Sequence, residues 1–428
     1  MSRFLLILIL GTLLVSCHRS ADFVSVRDGG FFIGDEPYTY VGTNMWYASI
    51  LGSEGQGGNR QRLCMELDSL CALGIRNIRI LVGGEGTYSD LPDHIRPTLQ
   101  PRPGEYNDTL LAGLDFVMAE MGKRDMRAVL YLHNAWQWSG GYGAYLDWAG
   151  MGQPAPASLW NEYTAHHSQF VRSDSARALA LRHTRFIVSR TNTITGKAYK
   201  DDPTLMAWEV CNEPRAFSRD SVSKQGLLSW ISEQSEAIKE IDPHHLVTTG
   251  SEGLYGCEVD INLFRSIHAL PTIDYLCFHI WPYTWGWTGR FVSPNSEARQ
   301  QLPLSTLSDS LPAAISKTQS YIDLHHNIAQ ELRKPLVLEE FGYPRDSFEI
   351  ATGTPTRARD QYFQYILSQV GKARKIAGCN FWAWGGMAQP THPMWQPWDA
   401  YTGDPAQEEQ GLYSVFLSDR TTLSIIRK

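Results

Sequence analysis

The sequence predicts an α/β protein, a single (β/α)8 barrel, on three observations. Eight short apolar runs alternate with longer segments of helical periodicity. Most of the runs are apolar at successive positions, as strands covered on both faces require. The longest connections all follow strands, which in this architecture gathers them at one rim. A chain of 428 residues could hold two or three average domains, but barrels of this kind run well past that length as one domain, and no low-complexity linker interrupts residues 22–428.

In chain order, Arg3 and the apolar run Phe4–Val15 come first, too short to cross a bilayer as a mature helix but suited to a signal-peptide core. Leu14-Val15-Ser16-Cys17 resembles the bacterial lipobox. Residues 1–17 are therefore expected to be a lipoprotein signal ending at Cys17, the lipidated residue, with 18–428 as the one catalytic domain; the competing reading is an ordinary signal peptide with a chance Cys. The mature protein is expected to be exported and lipid-anchored in the cell envelope, at the outer membrane, touching membrane only through that lipid, its periplasmic or surface face open.

The expected strands are Tyr38–Thr43, Asn77–Val82, Arg127–Leu132, Leu205–Val210, Leu246–Thr249, Tyr275–His279, Leu336–Glu339 and Asn380–Trp384. Helices are expected over Asn59–Leu73, Thr109–Lys123, Asp174–Ser189, Leu227–Ile241, Leu311–Leu332 and Thr356–Lys372, each with apolar positions at three- and four-residue spacing. The fifth-to-sixth connection is the least regular. Long connections follow at Leu81–Asn107, His133–Ser173, Trp281–Pro303 and Trp384–Gly411.

A net charge of -7 without basic clusters gives no footing for nucleic acid. Six cysteines beyond Cys17 lack paired zinc spacing, and Cys211, Cys277 and Cys379 fall in strands as small buried thiols. The doublets His166-His167, His244-His245 and His325-His326 read as solvated faces, so no metal is expected. There is no G-x-G-x-x-G after the first strand, no P-loop and no G-x-S-x-G elbow.

The chemistry sits at strand ends. The fourth strand delivers Asn212-Glu213-Pro214 and the seventh Glu339-Glu340-Phe341-Gly342, placing two carboxylates on one rim. Glycosidic cleavage needs such a pair: one protonates the leaving oxygen, the other attacks or activates water.

These motifs, with Asn77-Ile78-Arg79 and Phe381-Trp382, resemble glycoside hydrolase family 5 over essentially the whole mature chain. Gly42-Thr43-Asn44-x-Trp46-Tyr47, Trp136-Gln137-Trp138, His279-Ile280-Trp281-Pro282 and Trp382-Ala383-Trp384-Gly385-Gly386 resemble its endo-β-1,4-mannanase branch. The resemblance implies retaining hydrolysis of internal β-1,4-mannosidic bonds in mannan, galactomannan or glucomannan, through a covalent glycosyl-enzyme and without a cofactor or an obligate protein partner. Glu213 is then the acid/base and Glu340 the nucleophile, directly before the aromatic-Gly pair. Adjacent strand residues face opposite ways, so Glu339 is expected to look outward.

Arg79 is expected to hold the nucleophile ionised, a rim salt bridge being the alternative, and Asn212 to bind the sugar 2-hydroxyl unless it caps its own loop. His279 is expected at the catalytic subsite, although a core histidine is the default. His133 is the polar residue expected at the third strand's end. The family places a Tyr two residues after the histidine that His279 matches; Trp281 stands there, so the hydroxyl comes from elsewhere, Tyr283 being one source, or is missing. Trp382 is expected as the subsite floor, with Trp46, Trp136 and Trp281 among cleft platforms, while about half of the loop tryptophans pack loops onto the barrel. Another family 5 specificity such as a β-glucanase, a transglycosylase and a non-catalytic glycan-binding lipoprotein are the alternatives.

Overall fold

The computed structural model describes residues 23–87, 93–289, 306–371 and 374–427. Cys17 and parts of two long connections lie outside them. Eight parallel strands form the barrel: β1 (Tyr40–Asn44), β2 (Asn77–Leu81), β3 (Arg127–Tyr131), β4 (Leu205–Glu209), β5 (Leu246–Thr248), β6 (Leu276–Ile280), β7 (Leu336–Phe341) and β8 (Gly378–Phe381). All eight expected strands are present, with ends shifted by at most three residues. Their hydrogen-bonded order runs 5-4-3-2-1-8-7-6. The remaining seam is bridged by Asp274 N–H donating to Val247 O at 2.8 Å and Thr248 Oγ1 to Tyr275 O at 3.0 Å.

The strands are buried on both faces because helices cover the outside and side chains fill the inside. Tyr40, Val129, Ala207, Tyr275, Cys277 and Val337 form the lower interior. An antiparallel sheet of Val24–Arg27, Gly30–Ile33 and Glu36–Tyr38 closes that end, its Phe31 meeting Tyr275 edge-on at 5.3 Å. Gly42 of β1 lies where Asn380 reaches across to Asn77, and a Cβ there would collide with the Asn380 side chain and the Asn77 carbonyl.

The helices start where short polar side chains cap them. Asn59, Asn107, Ser173 and Asp220 accept hydrogen bonds from first-turn backbone N–H groups of Arg60–Ala72, Asp108–Lys123, Asp174–Val188 and Ser221–Ile241. The last begins six residues before its expected start, because its first turns are polar and only the Asp220 cap marks them. The irregular fifth-to-sixth connection carries the short helix Ile261–His268.

Two expectations are corrected. The eighth strand leaves the barrel after Phe381, and Trp384–Gly386 instead pairs in parallel with Val415–Phe416. One imidazole of each histidine doublet (His167, His245, His325) is fully buried; each bonds a neighbouring carbonyl, as His167 does Tyr163 O, so these are core histidines and not solvated faces.

Candidate active site

Four strands, β2, β4, β6 and β7, build the site. Arg79, in the middle of β2, points into the barrel and is fully buried. All five of its N–H groups are used: Nε and Nη2 on the Glu209 carboxylate at 2.7 and 2.5 Å, Nη1 on Glu340 Oε1 at 2.5 Å and Asn44 Oδ1 at 3.0 Å, Nη2 also on Asn212 Oδ1 at 2.9 Å. The Tyr131 ring lies against the guanidinium, 4.3 Å from its centre.

Beyond β4 the backbone stays tied to both neighbours, Asn212 N–H donating to His133 O at 2.7 Å and Glu213 N–H to Gly250 O at 2.8 Å. Glu213 itself has φ +50°, a left-handed conformation that disfavours side chains and here turns its carboxyl over the mouth. Along β7 the pairing with β6 slips between Leu338 and Glu340. This irregularity corrects the expectation for Glu339, which faces inward: its carboxyl is buried and accepts from Tyr275 Oη at 3.0 Å, while Glu340 also reaches the mouth. Gly342 is required next, since a Cβ there would lie 2.8 Å from the Trp281 ring.

The two carboxyl groups thus meet across the barrel. One oxygen of each and a His279 ring nitrogen all lie within 4.8 Å of one another. His279 Nδ1 sits 2.8 Å from Glu213 Oε1 and 3.4 Å from Glu340 Oε2, and the Trp136 indole N–H donates to Glu213 Oε2 at 2.5 Å. Among the described residues this is the one cluster with three metal-capable donors, but the Arg79 guanidinium already occupies the cationic position beside Glu340.

Burial pushes the Glu213 carboxyl upward, only partly offset by the charge of Arg215 and the indole of Trp136. Burial also raises Glu340, opposed by Arg79 and reinforced by the neighbouring Glu213. Arg79 bonds Glu340 directly and Glu213 not at all, so the negative charge of the pair settles on Glu340 and the proton on Glu213. Burial, followed by the Arg79 charge, holds His279 well below its usual range, leaving it neutral.

A family model described as GH family 5 beta-mannosidase-like matches residues 21–428. The chain belongs to glycoside hydrolase family 5. It is therefore a glycoside hydrolase. It is 30% identical to a protein of Solanum lycopersicum named mannan endo-1,4-beta-mannosidase 3, over 86% of this chain and 82% of that one. It is 28% identical to mannan endo-1,4-beta-mannosidase 1 of Arabidopsis thaliana, over 82% and 78% of the two chains. The solved family 5 mannosidase of Rhizomucor miehei superposes with a TM-score of 0.80 at 33% identity, covering 95% of this chain and 96% of that chain.

Within this family 5 barrel, Arg79, Asn212, Glu213, His279, Glu340 and Trp136 lie together at the mouth. Asn212 is oriented at both ends, its Nδ2 donating to Asn134 Oδ1 at 3.1 Å. Trp281 and Trp382 meet edge-on, 6.0 Å apart, beside the pair, and Tyr413 packs on Trp281 at 5.2 Å. His133 does not join them. Its imidazole bonds Thr184 at 2.9 Å and lies 3.3 Å from the Tyr145 hydroxyl, under a covering helix. Trp46 is a scaffold residue: 2% exposed, it donates to Gly403 O at 2.8 Å and packs on Trp138 and Tyr401. The Tyr283 ring packs on Phe348 at 4.9 Å.

Sequence reasoning missed Glu209, Asn134, Tyr131 and Glu408. Glu209 stood in plain view, a carboxylate inside an apolar strand two residues from the inward-facing Ala207, a combination that demands a buried partner. Glu408 carried no signal. It lies in the segment joining Trp384–Gly386 to Val415–Phe416, where Asp404 accepts from Gly411, Tyr413 and Ser414 N–H at 2.8, 2.9 and 3.2 Å. That segment brings the Glu408 carboxyl to the Trp382 indole and close enough to Glu213 for their charges to interact.

Proposed function

We propose that the protein hydrolyses β-1,4-mannosidic bonds with retention, by double displacement. The observation that carries this is the separation of the two carboxyl groups, one on Arg79 and one flanked by His279 and Trp136, with oxygens within 4.8 Å. Retaining sites hold their carboxyl groups about 5–5.5 Å apart and inverting ones roughly 6.5–9.5 Å. In the first step Glu340 attacks the anomeric carbon while Glu213 gives its proton to the leaving oxygen. In the second Glu213 takes a proton from water, whose oxygen displaces Glu340. Charge is conserved: Glu340 becomes a neutral ester as Glu213 becomes an anion, so the buried pair carries one negative charge throughout. The names of the relatives support mannose as the sugar.

Cleavage of chain ends, and not the internal cleavage expected from an open aromatic cleft, is favoured by the loop geometry. Trp46, Trp138, Trp281, Trp382, Trp384 and Trp395 are each at most 9% exposed, and so pack loops more than they offer platforms. Trp382 Nε1 and the Glu408 carboxyl lie together, buried beside Glu213, polar groups suited to the hydroxyls of a terminal sugar. Internal cleavage remains the second reading, favoured by the endo-mannosidase names of the plant relatives. Products released from mannopentaose and linear mannan test both readings. Mannose alone fits end cleavage and mixed short oligomers internal cleavage, while release from carboxymethyl cellulose alone would reject mannose specificity.

We also propose lipidation of Cys17. Phe23 packs on His244 and His245, just before β5, so the described chain enters at the end of the barrel opposite the catalytic mouth. A tether there would leave the mouth facing away from the membrane. No helix among the described residues is long and apolar enough to cross one. Palmitate labelling of the expressed protein, abolished by Cys17→Ala, is the expected result; labelling that survives the substitution would reject it.

A further inference from the structure

The sequence offers Trp160 no special context: it opens a short helix, Trp160–His167, inside the long connection after β3. In the fold it is 49% exposed, which is unusual for so large an apolar surface in a chain whose other loop tryptophans are mostly buried. Its ring is nearly parallel to two others. It lies 6.3 Å from Trp136 at 28° and 5.8 Å from Tyr163 at 15°, while Trp136 and Tyr163 are 6.2 Å apart at 13°. Tyr163 is fully buried and Trp136 half-buried, so the three rings form a shelf anchored in the core with Trp160 as its solvent end.

The shelf has a direction relative to the reaction. Glu213 Oε1 faces His279 and, through it, the nucleophile; Oε2 receives the Trp136 N–H. Trp136 therefore stands on the Oε2 side of the acid, opposite the oxygen that His279 links to Glu340, and Trp160 packs beside it at the solvent edge. The acid protonates the bond's leaving oxygen, so this is the side on which the departing sugar lies. Flat C–H faces of pyranose rings stack on such indoles.

We infer that Trp160 is the stacking platform for the second sugar unit on the leaving-group side, selecting oligosaccharides with at least two units beyond the cleaved bond. This rests on the mannoside reading above. It also gives the same surface a role in the reverse sense, holding an acceptor sugar when one replaces water.

The test compares mannobiose, which places one unit beyond the bond, with mannotriose, which can place two. With Trp160→Ala, kcat/KM for mannotriose falls about tenfold more than for mannobiose, the size of one aromatic stacking contact, and Trp160→Phe restores most of it. Thermal unfolding of both variants stays close to wild type, since the residue is at the surface. Equal loss on both substrates, or no loss, overturns the assignment while leaving the mannoside reading intact. A wild-type enzyme that cleaves neither of these substrates nor mannopentaose overturns the mannoside reading and the subsite together.

Discussion

Arg79 and Glu209 form a two-pronged ion pair sealed from solvent, Nε to Oε2 at 2.7 Å and Nη2 to Oε1 at 2.5 Å, both side chains 0% exposed. The same guanidinium holds Glu340. One cation thus serves two carboxylates, and how its charge is divided sets how basic Glu340 is.

Replacing Glu209 with Gln keeps the shape but removes a negative neighbour that raises Glu340, leaving the full Arg79 charge to that carboxylate. Glu340 then ionises at lower pH. The acid limb of the kcat/KM profile shifts to lower pH, with lower kcat because a less basic carboxylate is a weaker nucleophile. A profile with unchanged limbs would show that Glu209 serves only the fold.

Lysine cannot replace Arg79, because a point charge with three donors cannot serve four partners on a plane. Arg79→Lys is expected to lower kcat/KM by about 10²-fold or more and to destabilise by about 3 kcal/mol, since buried carboxylates lose hydrogen bonds. Kinetics and denaturant unfolding of the purified variant check both values.

What the sequence made legible follows from what burial demands of single residues. The strands were readable because side chains covered on both faces must be apolar, and Glu213 and Glu340 because carboxylates at strand ends break that rule. Glu339 was misjudged since alternation presumes a regular strand, and the slip between Leu338 and Glu340 is a pairing property that β7 does not encode by itself. His133 was misplaced for a related reason: the end of β3 presents His133 to a helix and Asn134 to the site, a choice of register that the two polar neighbours leave open. Trp46 was expected as a platform and packs its loop instead, because whether a tryptophan at the rim meets sugar or protein depends on loops distant in the chain.

Burial raises the Glu339 carboxyl to about 8, with Glu209 adding to the rise. A pKa raised on folding favours the folded state at low pH, and that contribution is lost as pH rises from the ordinary carboxylate range through about 8. Glu339→Gln cannot ionise, so its Tm falls less than that of wild type between pH 5 and pH about 8.5. Identical Tm differences would mean that Glu339 does not titrate in this window.

Asp404 latches the segment that carries Glu408 to Trp382. Asp404→Ala leaves several buried donors unpaired and is expected to destabilise by about 3 kcal/mol and to raise KM more than it lowers kcat. A KM unchanged beside a lowered Tm would remove this segment from substrate binding.

The central claim is that Glu340 forms a covalent bond to the sugar. A 2-deoxy-2-fluoro-β-mannosyl fluoride should inactivate the enzyme with a stoichiometric mass increase, and peptide mapping should place the sugar on Glu340. A label on Glu339, or turnover with inversion and no adduct, would contradict the account.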